Sequence, residues 1–399
     1  MPLSLPRRPP TFHRRRQAQL PLRLDAGCLI DMLSESPPSC LRRNLLLSLL
    51  SLLLLVSVYC LLLLGADDRS PLSLGRSSLY WNSAAGFPSV FLPSPVVNLS
   101  HVSEEYKLEK VLKAAAMKDG TVILTTLNEA WAVPGSIFDL FLESFRIGDD
   151  TRRLLKHLVV IALDMKAFQR CLAVHSHCFA LVTEGVDFSS EAYFMTADYL
   201  KMMWRRIDFL STVLDMEYNF VFTDADVMWF RDPFPQFFID VDFQIACDHY
   251  TGDSEDMENR PNGGFNYVQS NNRSIEFYKF WYSSRETYPG YHDQDVFNFI
   301  KYDTFVTEIG LKIRFLDTAY FGGFCEPSED LNQVCTMHAN CCVGLDSKIH
   351  DLRILLQDWK RYSSLPPTLK RSLITSWRVP QNCSLDSLRQ YDVPMNNTQ

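Results

Sequence analysis

Short apolar runs alternate with stretches of helical spacing through the middle of this chain, and that alternation restricts its fold more than any other feature. Thr121-Val122-Ile123-Leu124 follows a turn at Lys118-Asp119-Gly120, and Leu158 to Leu163, Cys178 to Val182, Phe220 to Thr223 and Phe243 to Ala246 are further runs of the same kind. Each reads as a short buried strand. Ile137 to Arg146 and Thr196 to Leu214 carry helical spacing between them, as does Glu105 to Met117 ahead of the first strand. Buried strands separated by helices predict an α/β fold with a mainly parallel sheet. Ligands of such sheets sit beyond the carboxyl ends of the strands, so the residues that follow each run are candidate site residues.

Composition excludes several classes. With 399 residues, 22% charged, 47% hydrophobic and a formal net charge of -8, the chain is neither a disordered acidic tail nor a basic nucleic-acid binder. One segment departs from globular composition: Leu45 to Leu64 runs without a charge for about the thickness of a bilayer. Arg7, Arg8, Arg14, Arg15, Arg16, Arg23, Arg42 and Arg43 precede it, and Asp67 and Asp68 follow. The positive-inside rule then predicts a cytosolic N-terminus and a lumenal body. A cleaved signal peptide is the alternative, but the apolar stretch and the basic region before it are both long for one. Asn98, Asn272, Asn382 and Asn396 head sequons that a lumenal body exposes to glycosylation. Eight cysteines fall after the apolar segment, so an oxidising compartment predicts some disulfides, with connectivity open.

The strongest local signal is Phe220-Val221-Phe222-Thr223-Asp224-Ala225-Asp226, a buried strand ending on two carboxylates one residue apart. Such a pair can grip a divalent cation, and a hard cation open on its other side can neutralise a diphosphate leaving group. A strand-end turn with capping aspartates is the plain alternative. Lys201 and Arg205, one turn apart on the Thr196 to Leu214 helix, either face phosphates or form a solvated face.

Thr121 to Trp131, the Phe222-Thr223-Asp224-Ala225-Asp226-Val227-Met228-Trp229-Phe230-Arg231-Asp232-Pro233 run, Arg260-Pro261-Asn262-Gly263-Gly264-Phe265-Asn266, Tyr291-His292-Asp293-Gln294-Asp295 and Met337-His338-Ala339-Asn340-Cys341-Cys342 occur in one order. In this, the chain resembles the plant nucleotide-diphospho-sugar transferase domain of glycosyltransferase family 77, over about residues 105–365. The resemblance implies a GT-A fold behind a single N-terminal transmembrane helix, in a Golgi protein of the type II orientation. It further implies pentose transfer from a UDP-sugar onto a cell-wall polysaccharide or glycoprotein, with retention of configuration. The expected organisation is a cytosolic tail (1–43), a signal anchor (44–64), a stem (65–104), the transferase domain (105–365) and a peripheral or disordered tail (366–399).

Residue by residue, the resemblance makes Asp224, Asp226 and His338 metal ligands. Two carboxylates and an imidazole suit Mn²⁺, or Mg²⁺. Cys335, His338, Cys341 and Cys342 also offer a zinc set, against which an oxidising lumen favours disulfides. Lys348 resembles the lysine that neutralises diphosphate, at a looser spacing from His338 than in those relatives, and an exposed surface lysine is the alternative. Thr125, Thr126 and Asn128 are placed to contact uracil and ribose or to form a turn. Asn262 and Gly263-Gly264 resemble a donor-sugar element whose glycines let the backbone approach a ligand, with a plain tight turn as the alternative. Asp293 and Gln294 are the expected catalytic pair: the aspartate holds sugar hydroxyls, and the glutamine lies near the anomeric carbon. Capping of a helix over Val296 to Ile300 is the structural reading of the same residues. A phosphohydrolase is disfavoured because Met228 stands where a small hydroxyl residue belongs. A catalytically silent scaffold or lectin-like protein with this fold is the remaining rival.

The arginine bias yields a first testable expectation. In sealed microsomes, protease added without detergent should leave the C-terminal part intact, and digestion of that part would reverse the assigned topology.

Overall fold

A computed structural model describes residues 107–372 and 376–383. The expected anchor (44–64), the stem (65–104), Asn98 and Asn396 lie outside the described residues. Among the described residues, no helix is long and apolar enough to cross a membrane.

The element order follows the expected alternation. Helix α1 (Leu108–Ala115) leads into β1 (Thr121–Leu127), α2 (Ile137–Ile147), β2 (Leu158–Ala162), α3 (Met165–Val174) and β3 (Cys178–Ala180). Then come α4 (Ala197–Asp215), β4 (Asn219–Thr223), β5 (Val227–Trp229), β6 (Phe243–His249) and β7 (Arg260–Val268). The domain closes with α5 (Asn272–Ser284), α6 (Asp293–Ile300), β8 (Ile313–Phe315), β9 (Phe321–Gly323), β10 (Thr336–His338) and α7 (Leu345–Ser363). Several helix starts are written in the sequence. Asp164 accepts the amides of Lys166 and Ala167 ahead of α3, and Asn271 and Ser274 form a reciprocal capping box at α5.

Seven strands form one mixed sheet in the order β3-β2-β1-β4-β7-β6-β8. Strand β7 runs antiparallel to both β4 and β6, and the other pairings are parallel. This is the expected α/β class with a mainly parallel sheet, apart from that one strand. Alternate residues feed opposite faces. Val122, Leu124, Phe220 and Phe222 pack with Ile207 and Leu210 of α4, Phe277 and Trp281 of α5 and Phe297 of α6. Ile123, Leu127 and Val221 pack with Phe138 and Phe141 of α2 and Leu352, Leu355 and Trp359 of α7. Covering both faces keeps the sheet's backbone polar groups dry and paired, and leaves the strand ends as the open rim.

Two expectations are corrected. The plain-turn reading of Asn262, Gly263 and Gly264 fails, because they lie inside β7, in the middle of the sheet. Pro261 and the glycines mask the strand, since both residue types are ordinarily excluded from strand interiors. The domain also does not end near 365. Over 376–383 the chain returns to the core: the Trp377 ring stacks on Phe230 at 5.4 Å, and Cys383 is disulfide-bonded to Cys342. Single aromatic and cysteine residues without periodicity gave no sign of this.

Asp351 on α7 holds that returning segment. It accepts the amides of Gln381 at 2.8 Å, Asn382 at 3.1 Å and Cys383 at 2.9 Å. Burial pushes its carboxyl up, but the Cys383 amide, then His350 and the other two amides, outweigh that and hold it below the usual carboxylate range. Its stabilising contribution is therefore complete above about pH 4 and fades as pH falls through the depressed folded value. Asp351→Ala should cost about 2 kcal/mol in urea denaturation at neutral pH, with the difference from wild type shrinking in acid. An unchanged midpoint would show the segment to be held by its other contacts, the Cys342–Cys383 bridge, the Trp377 stack and the Arg378–Asp358 pair.

Candidate active site

Strand β4 ends at Thr223, and the turn Asp224-Ala225-Asp226 leads straight into β5. Two backbone bonds shape the turn: the Asp224 amide donates to Gly264 O at 2.7 Å, and the Val227 amide donates to Asp224 O at 3.1 Å. Strand β5 belongs to a second, three-stranded sheet, in which β10 pairs antiparallel with it and His338 stands opposite Val227. That register brings a residue 112 positions beyond Asp226 to its side. His338 Nε2 lies 3.2 Å from Asp226 Oδ1 and 4.0 Å from Asp224 Oδ2, and ligand atoms from all three residues fall within 4.8 Å of one another.

Two cations flank this triad. Lys348, in the first turn of α7, bonds Asp226 Oδ2 and Ala339 O. Arg206 of α4 is buried, and it donates from Nη1 to Asp224 Oδ1 at 3.0 Å and from Nη2 to Asp293 Oδ2 at 2.6 Å. Burial pushes the Asp226 carboxyl up, yet Lys348 and then His338 outweigh burial and hold it well below the usual range. Asp293 is likewise pushed up by burial but held low by Arg206 and His292. For Asp224 burial prevails over Arg206, and its carboxyl sits above the usual value.

These residues fit a divalent cation. Asp226 Oδ1 is buried and, although His338 Nε2 lies 3.2 Å away, accepts no aligned hydrogen bond, which is costly unless something else meets it. Three carboxylates, Asp224, Asp226 and Asp293, share only Arg206 and Lys348 as fixed cations, leaving a negative excess beside the orphaned oxygen. Two carboxylates and one imidazole are a donor set for Mn²⁺ or Mg²⁺. The zinc set does not form: Cys341 is bonded to Cys325, Cys342 to Cys383, and Cys335 is buried as a free thiol. Cys171 and Cys178 form the third disulfide.

The triad lies in a cavity of about 420 Å³ at the carboxyl ends of β1 and β4. Thr126, Asn262, Gly263, Asp293, Gln294 and Lys348 all line it. Thr125 does not, because strand alternation turns its side chain into the buried sheet. Asn128 reaches the cavity, but its amide is committed to structure: it donates to Phe188 O and Ser190 O and accepts the Trp131 amide. Lys201 and Arg205 are absent from the lining, each pairing with an aspartate on its own helix, Asp198 and Asp208. The solvated-face reading of these two is the one the structure shows. Arg206, one residue on, occupies the site instead. Its signal was available, since an arginine within the apolar stripe of Met203, Ile207 and Leu210 needs a buried partner.

His292, rather than Asp293, is the N-cap of α6, accepting the Gln294 amide at 3.2 Å. Asp293 is thereby left to Arg206. Gln294 Oε1 accepts the Gly263 amide at 3.0 Å, so its carbonyl does not point unpartnered at the cavity. Of the two described sequon asparagines, Asn272 and Asn382, both are exposed.

Carboxylates, an imidazole and two cations gather where strands end in a mixed α/β sheet, and Asp224, Asp226 and His338 among them form a candidate metal site, as the GT-A expectation requires. A family model described as nucleotide-diphospho-sugar transferase matches residues 153–352, half of the chain. An Arabidopsis thaliana protein of uncharacterised function is 55% identical over 284 residues, covering 71% of this chain and 75% of that relative. The chain belongs to the nucleotide-diphospho-sugar transferase family. It is also 28% identical, over 203 residues, to the Arabidopsis thaliana UDP-D-xylose:L-fucose alpha-1,3-D-xylosyltransferase 1, covering 51% of this chain and 49% of that enzyme. Among solved structures, the apo form of mouse xyloside xylosyltransferase 1 aligns with 14% identity and a TM-score of 0.35, over 55% of this chain and 98% of that one.

Gly264 generates a prediction that leaves every polar side chain in place. A Cβ there would stand 2.5 Å from His338 Cε1, 2.7 Å from Asp224 Oδ2 and 2.9 Å from Asn262 Oδ1. The glycine is needed so that the imidazole and carboxylate can close over β7. Gly264→Ala should weaken Mn²⁺ binding by about tenfold or more, measured by calorimetric titration without donor, while thermal unfolding moves far less than for loss of a core residue. Unaltered affinity would mean that the triad does not bind metal in the geometry seen.

Proposed function

We propose that this chain transfers a pentose from a UDP-sugar to a cell-wall polysaccharide or glycoprotein acceptor, with retention, in the Golgi lumen behind the 44–64 anchor. The observation that carries the reading is the Asp224, Asp226 and His338 triad with its unpartnered carboxylate oxygen, set between Lys348 and Arg206. Family membership supports a nucleotide-sugar donor and a glycan acceptor. The xylosyltransferase relative supports a pentose and a uridine carrier. Three disulfides among the described residues suit an oxidising compartment.

Mn²⁺ or Mg²⁺ held by Asp224, Asp226 and His338 would supply positive charge to neutralise the diphosphate. Lys348 is set to follow the same charge. Its ammonium reaches the cavity from the first turn of α7, so it can move from Asp226 toward diphosphate oxygens as they gain charge on bond cleavage. Thr126, at the end of β1, lines the cavity and is the residue assigned to the nucleoside in this reading. Arg206 holds Asp293 ionised and fixed, which leaves a rigid acceptor for sugar hydroxyls. Retention follows if the acceptor hydroxyl attacks from the face that the diphosphate leaves, its proton passing to the departing phosphate; no separate base is required.

A panel of UDP-sugars with Mn²⁺, incubated with purified 65–399, tests the reading by UDP release and product analysis. A UDP-pentose should be preferred, and Asp226→Ala should lower turnover by about a hundredfold or more in folded protein. Preference for a hexose would remove the pentose assignment. Sugar-dependent binding without turnover would favour the lectin-like alternative.

A further inference from the structure

Away from the triad, the cavity is organised around Asp248, near the end of β6. Its hydrogen-bond donors are three neutral amides. Asn262 Nδ2 and Asn340 Nδ2 donate to Oδ1 at 2.8 and 2.7 Å, and Gln294 Nε2 donates to Oδ2 at 2.9 Å. The Cys325 sulfur, which carries no hydrogen in its disulfide, touches Oδ1 at 3.4 Å.

The orientation of all three amides is fixed by chemistry. Each amide oxygen accepts a backbone N–H: Asn262 from Gly264 at 2.9 Å, Gln294 from Gly263 at 3.0 Å and Asn340 from Cys325 at 3.1 Å. Flipping any of them would set a carbonyl oxygen against a carboxylate and an NH₂ against an N–H. One N–H of each amide is thus taken by Asp248, and the second is left over. Asp248 Oδ2 also keeps acceptor capacity. All four residues line the cavity, so its unfilled hydrogen-bonding groups on this side are up to three N–H donors around one carboxylate oxygen.

That pattern selects a ligand. A phosphate would meet the negative charge of Asp248, and a planar base would leave most of the donors unmet. Adjacent hydroxyls, each both donor and acceptor, match it. We propose that Asp248 is the specificity-determining residue of the sugar subsite, accepting one hydroxyl of the donor sugar while it locks Asn262, Gln294 and Asn340 to donate to the others. The assignment rests on the UDP-sugar reading above and extends it to a residue outside the family motifs.

The test compares affinity for UDP and for UDP-xylose, both with Mn²⁺, by calorimetry on folded protein. Asp248→Asn preserves shape but turns an acceptor into a mixed group, so at least one amide loses its anchor. UDP-xylose binding should weaken about tenfold, the scale of one hydrogen bond to a charged group, while UDP binding stays within about twofold. Asn340→Ala removes one spoke of the network at a residue given no other role and provides an independent reading should Asp248→Asn fail to fold. It should weaken UDP-xylose several-fold and spare UDP. Equal losses for both ligands in folded variants, or no loss for either, would overturn the assignment to Asp248 alone. Wild-type protein that bound UDP but not UDP-xylose or any other UDP-sugar would overturn both this inference and the reading on which it rests.

Discussion

One buried guanidinium ties the two halves of the site together. Arg206 spans Asp224 at the end of a strand and Asp293 at the start of a helix, and its ring-facing side lies over Phe222, 4.9 Å from the ring centroid. Without it, two desolvated carboxylates would stand close together in a low-dielectric interior, and breaking such a buried pair costs on the order of 3–5 kcal/mol. The charge stays because burial, which disfavours it, is outweighed by Asp293 and Asp224. A single residue thereby joins the end of the sheet that carries the metal candidates to the helix that carries the sugar candidates. The apolar seam of α4, through Ile207, Leu210 and Leu214, delivers it at a fixed height.

The second constraint is that the site is assembled from two sheets. The large sheet supplies the Asp224 end and the floor at Gly264, whereas His338 arrives on a three-residue strand of the small one. Ladder bonds on both sides fix the relative position of ligands far apart in sequence. Fixing them in this way removes most of the conformational entropy that a cation or ligand would otherwise have to overcome on binding.

Much of this is legible in the sequence. The five apolar runs are strands, and Ile137 to Arg146 and Thr196 to Leu214 are helices, because burial periodicity and capping residues are local properties. Asp224, Asp226 and His338 meet as the family motifs implied. What stayed hidden depended on partners distant in sequence. Strand β7 was masked because its Gly264 serves a close approach of His338 and Asp224 rather than a bend. Arg205 drew attention over Arg206 because charge alone does not say which side of a helix is buried. Asp248 stood in no motif, and its three amides come from three separate elements. Thr125 and Asn128 show the reverse: residue types suited to ligand contact, one turned inward and the other occupied by a loop.

Cys341 and Cys342 are adjacent, yet their bonds lead apart, one to Cys325 at the cavity and the other to Cys383 on the returning segment. A fragment cut where the recognisable family region stops, at residue 352, would keep every candidate ligand and still lack Cys383. It would leave an unpaired thiol next to a disulfide sulfur, the geometry from which exchange starts. The Cys325–Cys341 bridge beside Asp248 could then be lost by scrambling. The same cut removes Leu355 and Trp359 from the core, so inactivity of such a fragment would reflect a truncated helix and faulty oxidation rather than catalysis, and the sensible boundary for expression lies beyond Cys383, in a host compartment that forms disulfides.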